Sequence, residues 1–182
     1  DLIRAILING ATDLGTPDIP NDSEGWGQLN LEQSLNPKYE GNNLNMWYDS
    51  SRSLSPGKSL LYTYEFDISN GLDITLVWND LAGSASAASS APKLVNNLNL
   101  KLIAPDGSEF NGNMFTNGYS ISGGSSDDLN NVERIKLSPG QIPSAGIWTV
   151  EVSHSGGAEQ DFSIVITSGG VASPQPDLVV DS

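Results

Sequence analysis

Oxygen-bearing side chains gather in three short runs of this 182-residue sequence: Asn79 and Asp80, then Asn96, Asn97 and Asn99 of "LVNNLNL", then Asp127, Asp128, Asn130, Asn131 and Glu133 of "DDLNNVE". Carboxylates, carboxamides and backbone carbonyls presented by loops are the ligands that a hard cation such as calcium takes. Asp80, Asn97, Asn99, Asp127, Asp128, Asn131 and Glu133 are accordingly the candidate calcium ligands. In "NNVERI" residues two apart face the same way, so a loop end and a strand can present Asn131 and Glu133 together. The spacing does not follow the helix-flanked calcium loop, and the same residues also read as turn formers and solubilising charges.

A second constellation surrounds the single histidine, His154, with Ser153, Ser155 and Asp161 close in sequence. Acyl transfer needs an exposed nucleophile on a sharp turn and an oxyanion donor pair, and neither signature is present. His154 falls near a strand end beside Gly156 and Gly157 and reads as a solvated turn residue, so no catalytic residue is assigned. Carboxylate pairs such as Asp127 with Asp128 read as surface charge, because general acid and base work needs a cleft that separates their pKa values. Of the four tryptophans, Trp78 falls on the apolar side of its strand. Trp26, Trp47 and Trp148 divide between core packing and a sugar-stacking face.

The elements that must position these groups are mostly strands. "DLIRAILING" places Leu2, Ile3, Ile6 and Leu7 at helical spacing between Asp1 as N-cap and Gly10 as stop, and "NLEQSLNP" gives a second short helix ended by Pro37. From about residue 44 the apolar period becomes two. Tyr62, Tyr64, Phe66 and Ile68 share one face, Leu72, Ile74, Leu76 and Trp78 another, and Ser69, Asn70 and Gly71 join the two strands as a hairpin. Leu98, Leu100 and Leu102 alternate with Asn97, Asn99 and Lys101 before a turn at Pro105, Asp106 and Gly107. "VERIKLS" makes a further strand, and "GIWTVEVSHS" with "DFSIVITS" a last hairpin. About eight short strands at regular spacing predict an all-β antiparallel sandwich or jelly roll preceded by a short helical segment.

With 22 acidic residues against 8 basic ones, the formal charge of −14 repels phosphate backbones and anionic lipid surfaces. Nucleic acid is thereby a poor partner, and no apolar run of about 18 residues is present to span a bilayer. There is no cysteine, so disulfides and thiolate metal sites are excluded. The chain opens at Asp1 without a leader, as the interior or the end of a longer precursor would, and "GGVASPQPDLVVDS" reads as a linker into a further module.

The order of these pieces is similar to a known family. "LIRAILINGATDLG" followed by "GWGQLNLEQSL" resembles the end of the catalytic domain of subtilisin-like serine proteases. "LVWNDLAG", "LVNNLNLKLIAPDGSEFNGN", "NNVERI" and "SAGIWTVEV" resemble the C-terminal jelly-roll domain of their secreted alkaline-protease branch, itself similar to the P domain of proprotein convertases. The resemblance divides the chain into a catalytic-domain tail at 1–40, a β-sandwich at 41–170 and a linker at 171–182. It implies a secreted accessory domain that stabilises the protease domain or shapes substrate access. The partner would be the chain's own catalytic domain, packed against Leu2, Ile3, Ile6 and Leu7, with protein substrate as a further contact. The segments that carry the family's catalytic triad do not occur here, so the chain by itself is expected to be inactive. The family's jelly roll often binds calcium through acidic residues where this chain has Asn97 and Asn99. A glycan-, cell-surface- or protein-binding module is the alternative, requiring exposed aromatics among Trp47, Tyr48, Tyr119 and Trp148.

Overall fold

The computed structural model describes residues 1–15, 18–65, 70–85, 93–141, 146–169 and 175–181. Two short helices come first. Helix α1, Leu2–Asn9, starts at Asp1 and is closed by Gly10, whose N–H returns to the Ile6 carbonyl. Helix α2, Leu31–Leu35, is capped by the Asn30 side chain, which accepts from the Gln33 N–H at 3.1 Å. Next come the two-residue strands β1, Lys38–Tyr39, and β2, Asn42–Asn43, which pair with each other.

The sandwich follows as β3 (Asn45–Leu54), β4 (Lys58–Glu65), β5 (Leu72–Val77), β6 (Asn97–Ile103) and β7 (Glu109–Asn111). A small pair, β8 (Phe115–Thr116) and β9 (Tyr119–Ser120), precedes β10 (Val132–Leu137), β11 (Ile147–Gly156), β12 (Gln160–Ser168) and β13 (Gln175–Asp181). One sheet has the order β10-β5-β12-β3. The other runs β4-β11-β6-β7, with β13 along the outer edge of β4. Every pairing is antiparallel, so the predicted all-β sandwich is the observed architecture.

The period-two pattern puts Leu60, Tyr62, Leu98, Leu100, Leu102, Trp148, Val150 and Val152 of one sheet against Leu72, Ile74, Leu76, Trp78, Ile135, Phe162, Ile164 and Ile166 of the other. Each such side chain contributes about 1.5–3 kcal/mol on removal from water. The turn after β6 forms where Pro105, Asp106 and Gly107 predict it. The Gly107 N–H bonds to the Ala104 carbonyl, and Gly107 has φ +86°, a conformation that favours glycine.

Several expectations are corrected. Strands β4 and β5 belong to different sheets, as do β11 and β12, so both predicted hairpins are crossovers from one sheet to the other. Short loops between apolar strands read as hairpins because spacing alone carries no information about which sheet the next strand joins. Ile147 faces out at 66% exposure, and Trp148 begins the inward face of β11. Phe66, Ile68 and Ser69 lie outside the described residues. Residues 175–181 are paired with β4 from Gln175 opposite Thr63 to Asp181 opposite Lys58.

Helix α1 has its partner within the chain. It packs on the outer face of the four-stranded sheet, where Ala5 meets Val77, Val132 and Val165, with Leu2, Ile6, Ile8 and Trp26 around them. The buried stripe therefore runs through Leu2, Ala5, Ile6 and Asn9, while Ile3 is 75% exposed. Strands β5 and β12, covered on both faces, are nearly uninterrupted in apolar and small residues for this reason.

Candidate calcium site

The site grows from an unfilled edge of β6. Strand β7 pairs only with Lys101 to Ile103, so the Leu100 N–H next to that stretch has no strand partner on its open side. It donates instead to Glu133 Oε2 at 2.7 Å, which brings a carboxylate from β10 into the mouth of the sandwich. Gly112, directly after β7, leaves the space for it: a Cβ there would lie 2.8 Å from the Glu133 Cβ and overlap its carboxylate. Glu133 is fully buried, and its Oε1 has no hydrogen-bond partner among the described residues. Burial pushes the Glu133 carboxyl well above its ordinary value. The Leu100 N–H partly opposes the shift, and the negative charges of Asp127 and Asp128 add to it.

Two amide oxygens share this unsatisfied condition. Asn97 donates through Nδ2 to Asp128 Oδ1 at 2.7 Å, which fixes the amide, because the flipped rotamer would set oxygen against carboxylate. Its Oδ1 is buried without a partner. Asn99 donates through Nδ2 to Ser155 Oγ at 3.2 Å, and Ser155 donates onward to the Asn97 carbonyl, leaving Asn99 Oδ1 equally unpartnered. Glu133 Oε1, Asn97 Oδ1 and Asn99 Oδ1 are thus buried without partners among the described residues, and carboxylate and amide oxygens are the ligands that calcium takes. Among the described residues no three His, Cys, Asp or Glu side chains converge as a metal cluster, so a cation here would depend on the amides.

The remaining candidates are engaged elsewhere. Asp80 accepts from the Leu81, Val95 and Asn96 N–H groups at 2.7–2.9 Å and fastens the loop that enters β6. Asp127 accepts from the Leu129 and Asn130 N–H groups and from the Asn113 and Asn130 amides, shaping the turn before β10. Asn131 donates to the Trp78 carbonyl at 3.0 Å. Of the seven candidates, Asn97, Asn99 and Glu133 keep a buried oxygen without a partner among the described residues, and Asp128 is bonded to Asn97.

His154, expected in solvent, is buried. Its Nδ1 lies 3.0 Å from the Leu54 carbonyl and its Nε2 2.8 Å from the Gly156 carbonyl, so both ring nitrogens face backbone oxygens. His154 keeps the inward phase of Trp148, Val150 and Val152, and the register shift comes only after it, between His154 and Gly156. Trp78 and Trp148 are core residues, and Trp47 stacks edge-on with Tyr62 at 5.3 Å. Of Trp47, Tyr48, Tyr119 and Trp148, two or more of which a binding face would expose on one surface, Tyr48 and Tyr119 are exposed.

Sequence reasoning passed over a polar cluster on the opposite face of β10. Arg134 is buried against Asp73, Asn9 bridges Asp73, Thr75 and Thr167, and Lys136 stands beside them. The available signal was the alternation of Glu133, Ile135 and Leu137 with Arg134 and Lys136, which marks a second face of β10 that also needs partners.

No protein-family model matches the chain. Across an alignment of 179 positions that covers 93% of the chain, it is 32% identical to the serine protease/ABC transporter B family protein tagA of Dictyostelium discoideum. The chain spans 10% of that relative. This β-sandwich is thus distantly homologous to one stretch of a protein named for a serine protease.

Proposed function

We propose that this chain is the C-terminal accessory β-sandwich of a secreted, subtilisin-like serine endopeptidase, stabilising the protease domain or shaping its substrate access. The homology to a stretch of a serine protease/ABC transporter protein carries this reading. On α1, Leu2 and Ile6 dock on the sandwich, and the exposed Ile3 would face the protease domain. The peptide bond would be cut by the parent's serine chemistry, to which the single histidine here, buried between two carbonyls, contributes nothing.

In the same proposal Asn97, Asn99, Asp128 and Glu133 hold a calcium ion. The ion would supply the positive charge that three unpartnered oxygens at the mouth of the sandwich lack. Leu100 orients Glu133 and Asp128 orients Asn97, so the ligands are held in place whether or not the ion is bound.

The test is caseinolysis by the parent protease with and without the sandwich. Deletion is expected to shorten the half-life of activity on heating or to alter cleavage preference. Unchanged half-life together with unchanged preference would overturn the accessory role.

A further inference from the structure

A cavity of about 440 Å³ opens between the segment after α1, strand β1, the β8–β9 pair and β10. In a chain of charge −14 its lining is unusual, since Arg134 and Lys136 both face it from the outer side of β10, two residues apart. Arg134 is 1% exposed, and its Nε and Nη2 are bound to Asp73, but its Nη1 is buried without a partner among the described residues. The Lys136 ammonium lies 5.8 Å from the centre of the Tyr119 ring and meets no carboxylate within ion-pair range among the described residues. Two cationic donors with unspent hydrogen bonds thus border one space. Asp13, which also lines it, accepts from the Gly15 N–H through Oδ1, while its Oδ2 is buried and unpartnered among the described residues.

We propose that this cavity binds the carboxylate end of an amino acid or peptide. Arg134 Nη1 and Lys136 Nζ would take the carboxylate, and Asp13 Oδ2 would accept from the ligand's adjacent N–H. An ionised carboxylate satisfies both cationic donors through charge-assisted bonds. A phosphate or dicarboxylate would set further negative charge against Asp13, whereas an amide or ammonium N–H beside the carboxylate supplies the donor that Asp13 needs. The volume lies within the range of small-molecule sites.

Calorimetric titration of the 182-residue chain with N-acetylglycine, glycine, N-acetylglycinamide and inorganic phosphate separates the alternatives. Saturable binding of N-acetylglycine, glycine or both is expected, with N-acetylglycinamide weaker by about tenfold or more, the loss that follows from removing a charged hydrogen-bond partner. Preference for N-acetylglycine identifies a chain end, and preference for glycine a free amino acid. Lys136→Met is expected to weaken binding by about tenfold while leaving the melting temperature near that of the parent, since Lys136 makes no ion pair among the described residues. Asp13→Ala is expected to reduce the affinity for both carboxylates. Binding of the amide or of phosphate as tight as that of either carboxylate, absence of binding by both carboxylates, or full affinity in Lys136→Met would overturn the assignment.

Discussion

Arg134 lies edge-on to Asp73, with Nε 2.8 Å from Oδ1 and Nη2 2.7 Å from Oδ2, and so joins the adjacent strands β10 and β5 on the face that helix α1 covers. The same Nη2 reaches the Asn9 carbonyl at 2.8 Å. Asn9 in turn donates to Asp73 and Thr75 and accepts from Thr167 at 2.6 Å. One bidentate pair therefore links the end of the helix to three neighbouring strands of the sheet beneath it, and Asn9 is a buried polar residue whose side chain is fully bonded.

Arg134→Met leaves the Asp73 carboxylate facing an apolar group in a site where Arg134 itself is 1% exposed. Breaking such a pair from one side costs about 3–5 kcal/mol, because the remaining charge stays buried. Urea unfolding should show a loss of that order for Arg134→Met. Arg134→Met combined with Asp73→Leu should recover part of it. A midpoint shift equivalent to less than about 1 kcal/mol in the single variant would show the pair to behave like a surface bridge.

Ala5 is fully buried at the contact of α1 with Val77, Val132 and Val165, and its single methyl sets how closely the helix approaches the sheet. Ala5→Glu forces a longer, charged side chain into that contact. The expected outcome is undocking of residues 1–10 with the sandwich intact, read as rapid proteolysis near the N-terminus and a changed emission from Trp26, which packs beside the helix. Protection equal to that of the parent would mean the helix does not depend on this face.

The inner face of the sandwich was legible because period two is a strong signal over residues such as Leu72, Ile74, Leu76 and Trp78, all of which are buried. The connections were not legible: β4 to β5 and β11 to β12 have hairpin-like spacing but pass between sheets, a choice made by tertiary packing. The helix stripe was misplaced by one position, since Ala5 carries too little hydrophobicity to compete with Ile3 in a pattern and yet is the residue small enough to be covered. At the candidate calcium site residue type was legible, whereas the division between ligands and loop fasteners was not. Asp80 and Asp127 differ from Glu133 only in how many backbone and amide N–H groups already point at them. His154 was misread because the glycines after it suggested a solvated turn, whereas the alternation of Trp148, Val150 and Val152 already placed it inward.

Gly112 and Glu133 should be energetically coupled. A methyl at Gly112 would meet the Glu133 Cβ at 2.8 Å, so Gly112→Ala must displace the carboxylate from the Leu100 N–H or strain β7, at about 1–3 kcal/mol. In the Glu133→Ala background much of that clash disappears. A double-mutant cycle should therefore give a coupling of about 1 kcal/mol or more. Additive effects would place the strain elsewhere.

Glu133 gives the sandwich a pH dependence whose sign differs from that of an ordinary ion-paired carboxylate. Its folded-state pKa is raised well above the unfolded value of 4.5, chiefly by burial. The folded state therefore holds a proton that the unfolded state has already released, and that contribution to stability is complete below 4.5 and is lost as pH rises through the folded pKa. In chelator, melting temperature should fall across this interval in the parent chain and fall less in Glu133→Gln, which is neutral throughout. Calcium bound at Asn97, Asn99, Asp128 and Glu133 would favour the ionised carboxylate and lower its pKa, so added calcium should raise the melting temperature most at the upper end of the interval. The effect should be absent in Glu133→Gln. A calcium-induced shift of equal size in that variant would remove Glu133 from the proposed ligand set, and the lack of any shift in the parent chain at millimolar calcium would remove the ion.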